Sequence, residues 1–126
     1  TFGVSPGATR RLMDACEAND LPLLPGAATP SEAMALLERG YSVQKFFPAE
    51  VNGGVPALRA WAGPLPRIRF CPTGGVGLAN ARDYLAQPNV ICVGGSWVAP
   101  AAMVGARDWD GIARLAAQAA LLRPPI

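Results

Sequence analysis

The chain has 126 residues, 51% of them hydrophobic and 16% charged, a balance that predicts one packed domain over residues 1–126 and excludes extended disorder. Its net charge of +2 comes from ten scattered arginines and one lysine, with no basic run interleaved with aromatics, so no nucleic-acid partner is expected. With no histidine, a Ser/His/Asp triad and a histidine-activated thiol are excluded, and no apolar stretch approaches the ~20 residues that a membrane span needs.

In chain order, the first apolar, β-prone run covers residues 2–5 and ends in Pro6-Gly7. Thr9 then precedes a helical pattern marked by Leu12, Met13 and Cys16. A second run, 22–25, leads to the start signal Thr29-Pro30-Ser31-Glu32 and a helix with Ala33, Leu36 and Leu37 on one face. The third run, 43–47, precedes a helix carrying Val55, Leu58, Ala60 and Trp61; the fourth, 68–72, precedes a helix over 79–85; the fifth, 90–94, precedes a longer helix over 109–122. The strands begin about 20 to 25 residues apart, so the order is βαβαβαβαβα.

Strands that are apolar throughout suit a parallel sheet covered by helices, either a doubly wound sheet or a (β/α)8 barrel. The strand ends favour the barrel. They read Ser5-Pro6-Gly7, Leu24-Pro25-Gly26, Phe47-Pro48-Ala49, Pro72-Thr73-Gly74-Gly75 and Gly94-Gly95-Ser96, which collects small polar groups and backbone on one rim, where barrels carry their chemistry. Five βα units are present, and a barrel has eight.

Lys45 is the only lysine and lies between Val43 and Phe46-Phe47. Alternation along the strand points Val43, Lys45 and Phe47 one way and Gln44 and Phe46 the other. Facing a barrel interior, a lysine amine loses water, and desolvation favours the neutral form that attacks a carbonyl carbon. The alternative is a lysine that reaches solvent, or pairs with Glu50. Gly74-Gly75 and Gly94-Gly95-Ser96 end consecutive strands; successive glycines let backbone N–H groups converge on an anion, or simply make tight turns. Thr73 and Ser96 offer hydroxyls to a ligand or to a helix start. Glu50 reads as a loop glutamate or a proton shuttle, Asp108 and Asp110 as a helix N-terminal charge arrangement, and Trp61, Trp97 and Trp109 as core or interface aromatics. Cys16, Cys71 and Cys92 are odd in number, far apart and without a CxxC pair; they read as small buried hydrophobes, predict neither a disulfide nor a metal site, and fit a reducing cytoplasm.

Taken together, Phe2-Gly3-Val4-Ser5-Pro6-Gly7, Leu24-Pro25-Gly26, Lys45-Phe46-Phe47-Pro48-Ala49-Glu50, Asn52-Gly53-Gly54, Phe70-Cys71-Pro72-Thr73-Gly74-Gly75 and Gly94-Gly95-Ser96-Trp97 resemble the 2-keto-3-deoxy-6-phosphogluconate aldolase family, across nearly the whole chain. The resemblance implies a (β/α)8 TIM barrel, here its last five units as a partial barrel, and a class I aldolase that yields pyruvate and glyceraldehyde 3-phosphate without metal or cofactor. It implies Lys45 as the imine-forming residue, and Phe47, Thr73, Gly74, Gly75, Gly94, Gly95 and Ser96 as contacts to a phosphorylated keto-deoxy sugar acid. A cytoplasmic homotrimer is implied for the full-length family. The family's proton-moving glutamate and carboxylate-binding arginine lie on earlier strands and match no residue here, so the chain is expected to be a C-terminal portion, unstable or oligomeric alone. Related substrates (4-hydroxy-2-oxoglutarate, the phosphogalactonate analogue) and a non-catalytic phosphometabolite-binding role stay open.

Overall fold

A computed structural model describes residues 1–122, so positions 123–126 of the expected domain lie outside the described residues. The elements run β1 (Gly3–Val4), α1 (Arg10–Ala18), β2 (Leu23–Leu24), β3 (Gly26–Ala27), α2 (Pro30–Glu38), β4 (Val43–Phe46), α3 (Gly54–Ala62), β5 (Arg69–Pro72), α4 (Ala81–Leu85), a 3-10 turn (Ser96–Val98), α5 (Ala101–Gly105) and α6 (Trp109–Ala120). Helix starts follow local chemistry. The Thr9 hydroxyl accepts the Leu12 N–H at 3.2 Å. Thr29 and Glu32 close a reciprocal capping box, with Pro30 at the first helical position. Asp108 accepts the Gly111 N–H at 2.9 Å to start α6.

All strand pairs are parallel: β1 with β2, β3 with β4, and β4 with β5. The expected second strand is thus two pieces split by Pro25, which has no N–H to give; β2 pairs to one side and β3 to the other, and the Lys45 N–H donates to the Pro25 carbonyl at 2.8 Å. Spatial order follows chain order without the reversal of a doubly wound sheet. The fifth expected strand, 90–94, is not one. Only isolated bridges, Phe70 to Val90 and Thr73 to Gly94, tie it to β5. The Phe70 N–H donates to Asn89 and the Ile91 N–H to Phe70, but the next rung needs an N–H at Pro72 and has none. The pairing resumes one residue out of step, with the Gly94 N–H on the Pro72 carbonyl at 2.9 Å.

The core lies between this sheet and α2, α3 and α4. Phe46, Trp61 and Phe70 meet edge to face, with centroids 5.1 to 6.3 Å apart. Leu58, Ile68, Ala81 and Tyr84 are fully buried around them. Two buried amides tie helices to what packs on them: Gln44 Nε2, on β4, donates to the Ala33 carbonyl of α2 and to the Tyr41 carbonyl, each at 2.9 Å, and Asn89 Nδ2, in the turn after α4, to the Leu58 carbonyl of α3 at 2.8 Å. On the surface, Arg39 pairs with Asp14 and Glu17 and joins α2 to α1. No helix of the described residues is long and apolar enough to cross a membrane.

Candidate active site

Alternation in β4 buries Gln44 and Phe46 against the helices and turns Val43, Lys45 and Phe47 to the opposite, partly open face. The Lys45 ammonium nitrogen stands 4.5 Å from the centroid of the Phe47 ring, a cation–π contact. Glu50 is not its partner: that carboxylate accepts a hydrogen bond from the Tyr84 hydroxyl, so Glu50 is neither the lysine's counter-ion nor a free loop side chain. Register places Gly26 beside Lys45 on one side and Cys71 beside it on the other. Thr73 follows two residues on, its hydroxyl 3.5 Å from the Cys71 carbonyl.

The Thr73-Gly74-Gly75 segment is bolted to the end of β4. The Thr73 N–H donates to the Phe46 carbonyl at 3.0 Å, the Ala49 N–H to Thr73 at 2.8 Å and the Glu50 N–H to Gly74 at 3.1 Å. Gly74 and Gly75 take φ of +96° and +77°, the left-handed region that favours glycine. Space is short as well: a Cβ on Gly74 would lie 3.2 Å from the Phe47 ring, and one on Gly75 2.5 Å from Glu50 Cγ, where a neighbour would have to shift. Gly94 joins this group, since a Cβ there would lie 2.9 Å from Thr73 Oγ1. Gly95 instead packs on the Trp97 ring, and Ser96 is exposed at the start of the 3-10 turn. Lys45, Phe47, Thr73, Gly74 and Gly94 are therefore linked by contact, hydrogen bond or chain continuity, and Gly75, next to Gly74, packs against Glu50.

Three neighbours carried no local sequence signal. Asn80, beside α4, donates to the Gly75 carbonyl at 3.0 Å and accepts the Gly77 N–H at 2.8 Å. Tyr84, one turn later, is wholly buried, and burial first and Glu50 second raise its hydroxyl pKa, which keeps it a donor. Cys71 is buried as expected, yet it is not an inert hydrophobe. A hydrogen bond from Cys92 brings its thiol down to about 7, helped by Thr73 and by the Lys45 charge, against burial that pushes it up. Among the described residues no three His, Cys, Asp or Glu side chains gather into a metal-binding group.

A family model described as KDPG and KHG aldolase matches residues 1–115. The 2-dehydro-3-deoxy-phosphogluconate aldolase of Pseudomonas aeruginosa is 52% identical over 119 residues, which are 94% of this chain and 54% of that protein. The KHG/KDPG aldolase of Escherichia coli K12 is 52% identical over 118 residues, 94% of this chain and 55% of its own length. Among solved structures, the KDPG aldolase of Legionella pneumophila, with pyruvate captured at low pH as a covalent carbinolamine intermediate, superposes with a TM-score of 0.88 at 45% identity, over 94% of this chain and 57% of that one. The chain thus spans about half the length of the curated relatives it matches. A match over 115 of 126 positions that includes every strand end built into the site places this chain in the KDPG and KHG aldolase family.

Proposed function

We propose that the protein is a class I aldolase that cleaves 2-keto-3-deoxy-6-phosphogluconate into pyruvate and glyceraldehyde 3-phosphate, with Lys45 as nucleophile. The observation that carries this is the setting of Lys45: the sole lysine, on the strand face turned away from the helices, over Phe47 and beside the Cys71-to-Thr73 strand end. The amine adds to the 2-keto carbon, the carbinolamine loses water, and the resulting iminium accepts the electron pair as the C3–C4 bond breaks. The C4 hydroxyl gives up its proton and leaves as the aldehyde; the enamine takes a proton at C3, and hydrolysis frees pyruvate and Lys45. The carbinolamine captured in the Legionella relative supports this route.

In this reading Phe47 borders the imine, Thr73 bonds the substrate, and Gly74, Gly75, Gly94, Gly95 and Ser96 contact its phosphate. The chain forms part of a (β/α)8 barrel, which the chain-order sequence of its parallel strands supports, and the assembly is a cytoplasmic homotrimer. A second substrate, 4-hydroxy-2-oxoglutarate, is favoured by the double name of the E. coli relative.

Borohydride trapping tests the reading. Incubation with pyruvate and reduction is expected to add one reduced pyruvate at Lys45, and Lys45→Arg to abolish the adduct. No adduct on the wild-type chain at saturating pyruvate refutes the proposal.

A further inference from the structure

We propose that Glu50 is a positioning residue: through Tyr84 it clamps the Gly74-Gly75 turn to the end of the Lys45 strand and so fixes the geometry in which that turn meets a phosphate. The inference rests on the phosphate role proposed above for the turn.

The need for a clamp comes from the turn itself. Two successive glycines with positive φ form the most mobile kind of backbone, and a mobile turn loses ordering entropy on every binding event. Here it is gripped from both sides. On one side, the Ala49 and Glu50 N–H groups hold the Thr73 and Gly74 carbonyls at 2.8 and 3.1 Å. The Glu50 stem then lies along Gly75, so close that a methyl there would stand 2.5 Å from Cγ and 2.8 Å from Cβ.

The carboxylate ends in a slot floored by Gly54, where a methyl would lie 3.2 Å from the Tyr84 hydroxyl and 3.4 Å from Glu50 Oε1. Tyr84 supplies the anchor, since its ring is wholly buried and its hydroxyl donates to that carboxylate. On the other side, Asn80 holds the Gly75 carbonyl at 3.0 Å and the Gly77 N–H at 2.8 Å. Asn80 and Tyr84 stand four residues apart, one helical turn, so one short element supplies both grips. The sequence reading of Glu50 as a proton shuttle makes a different demand, because a shuttle acts on the carbon chain and a clamp acts on the phosphate.

The test uses three readouts on the whole chain: inorganic phosphate affinity by 31P NMR titration, pyruvate trapping at Lys45, and exchange of pyruvate methyl protons with deuterated solvent. Glu50→Ala is expected to weaken phosphate binding about tenfold, the scale of one charge-assisted hydrogen bond, with less than a twofold change in trapping and exchange. Glu50→Gln, which keeps an acceptor for Tyr84, is expected to recover most of the loss, and Tyr84→Phe to reproduce most of it. Equal phosphate affinity in wild type and Glu50→Ala overturns the clamp alone. So does loss of methyl-proton exchange with phosphate affinity intact, which makes Glu50 the shuttle. Parallel loss of all three readouts in all three variants overturns it in favour of a merely structural role. Absence of phosphate binding by the wild type overturns the phosphate subsite itself, whatever the variants do.

Discussion

Replacing Gly75 by alanine puts a methyl group where Glu50 already lies, 2.5 Å from Cγ and 2.8 Å from Cβ. Two costs follow. Gly75 sits at φ +77°, and holding an L-residue in the left-handed region costs roughly 1–2 kcal/mol. The clash with Cγ is relieved if Glu50 swings out, which sacrifices its bond to the Tyr84 hydroxyl, and a hydrogen bond to a charged group contributes about 1.5–3 kcal/mol. The sum is about 2.5–5 kcal/mol, a fall in the urea midpoint of about 1–5 M at the slopes usual for small proteins. Glu50→Ala removes the second cost in advance. In that background Gly75→Ala keeps the left-handed cost and the 2.8 Å contact with the remaining Cβ, both of which it also carries in the wild type, so a double-mutant cycle read by urea unfolding is expected to show about 1.5 kcal/mol or more of coupling from the lost bond. Additivity within about 0.5 kcal/mol refutes the reasoning, because it means that Gly75 and Glu50 do not contend for the same space.

The Cys71 thiol gives a pH signature. Folding lowers it from 9.0 to about 7, chiefly through Cys92, then Thr73 and the Lys45 charge. A value lowered on folding stabilises the fold fully above pH 9.0 and loses that contribution as pH falls through about 7. Thiolate absorbance near 240 nm is expected to rise with a midpoint near pH 7 that Cys71→Ser removes and Cys92→Ala moves upward; a midpoint unmoved by Cys92→Ala contradicts the assigned cause. For helix capping, Thr29→Ala is expected to cost about 1–2 kcal/mol in urea unfolding and Thr9→Ala less, since Thr29 forms half of a reciprocal box while Thr9 makes a single bond at 3.2 Å. Equal losses at the two sites contradict that ranking.

What the sequence made legible was local in its causes. Helix starts at Thr9 and Thr29 depend on residues three positions apart, and the face of Lys45 depends only on strand alternation. The strand over residues 90–94 fails for a reason held elsewhere in the chain: Pro72, some 20 residues earlier, withholds the N–H that a regular ladder needs. The 3-10 turn and α5 leave no mark in the sequence because neither has a side-chain cap or a periodic apolar face. Glu50 lies in an exposed turn, as its sequence setting implies, but its hydrogen bond has no local mark: Tyr84 is 34 residues away, and no spacing rule links an acid in a Pro/Gly turn to a tyrosine on a helix three elements later. Cys71 is opaque in the same way, since its acidity depends on Cys92 across the sheet.

In β4 and β5 the residues that pack the core and those of the candidate site occupy opposite faces: Gln44, Phe46 and Phe70 look to the helices, while Lys45, Cys71 and Thr73 look away. A one-residue slip of β4 would drive Lys45 against Trp61 and expose Phe46, so the register that places Lys45 on the open face is the one that the aromatic core requires. The core thereby holds Lys45 opposite Cys71 even though Lys45 adds nothing to that core. Position along the strand is set by packing, and the open face is left to the few groups of the candidate site. Mutations of the core aromatics therefore act on Lys45 through its placement, and mutations at Glu50, Gly75 and Tyr84 act through the turn beside it.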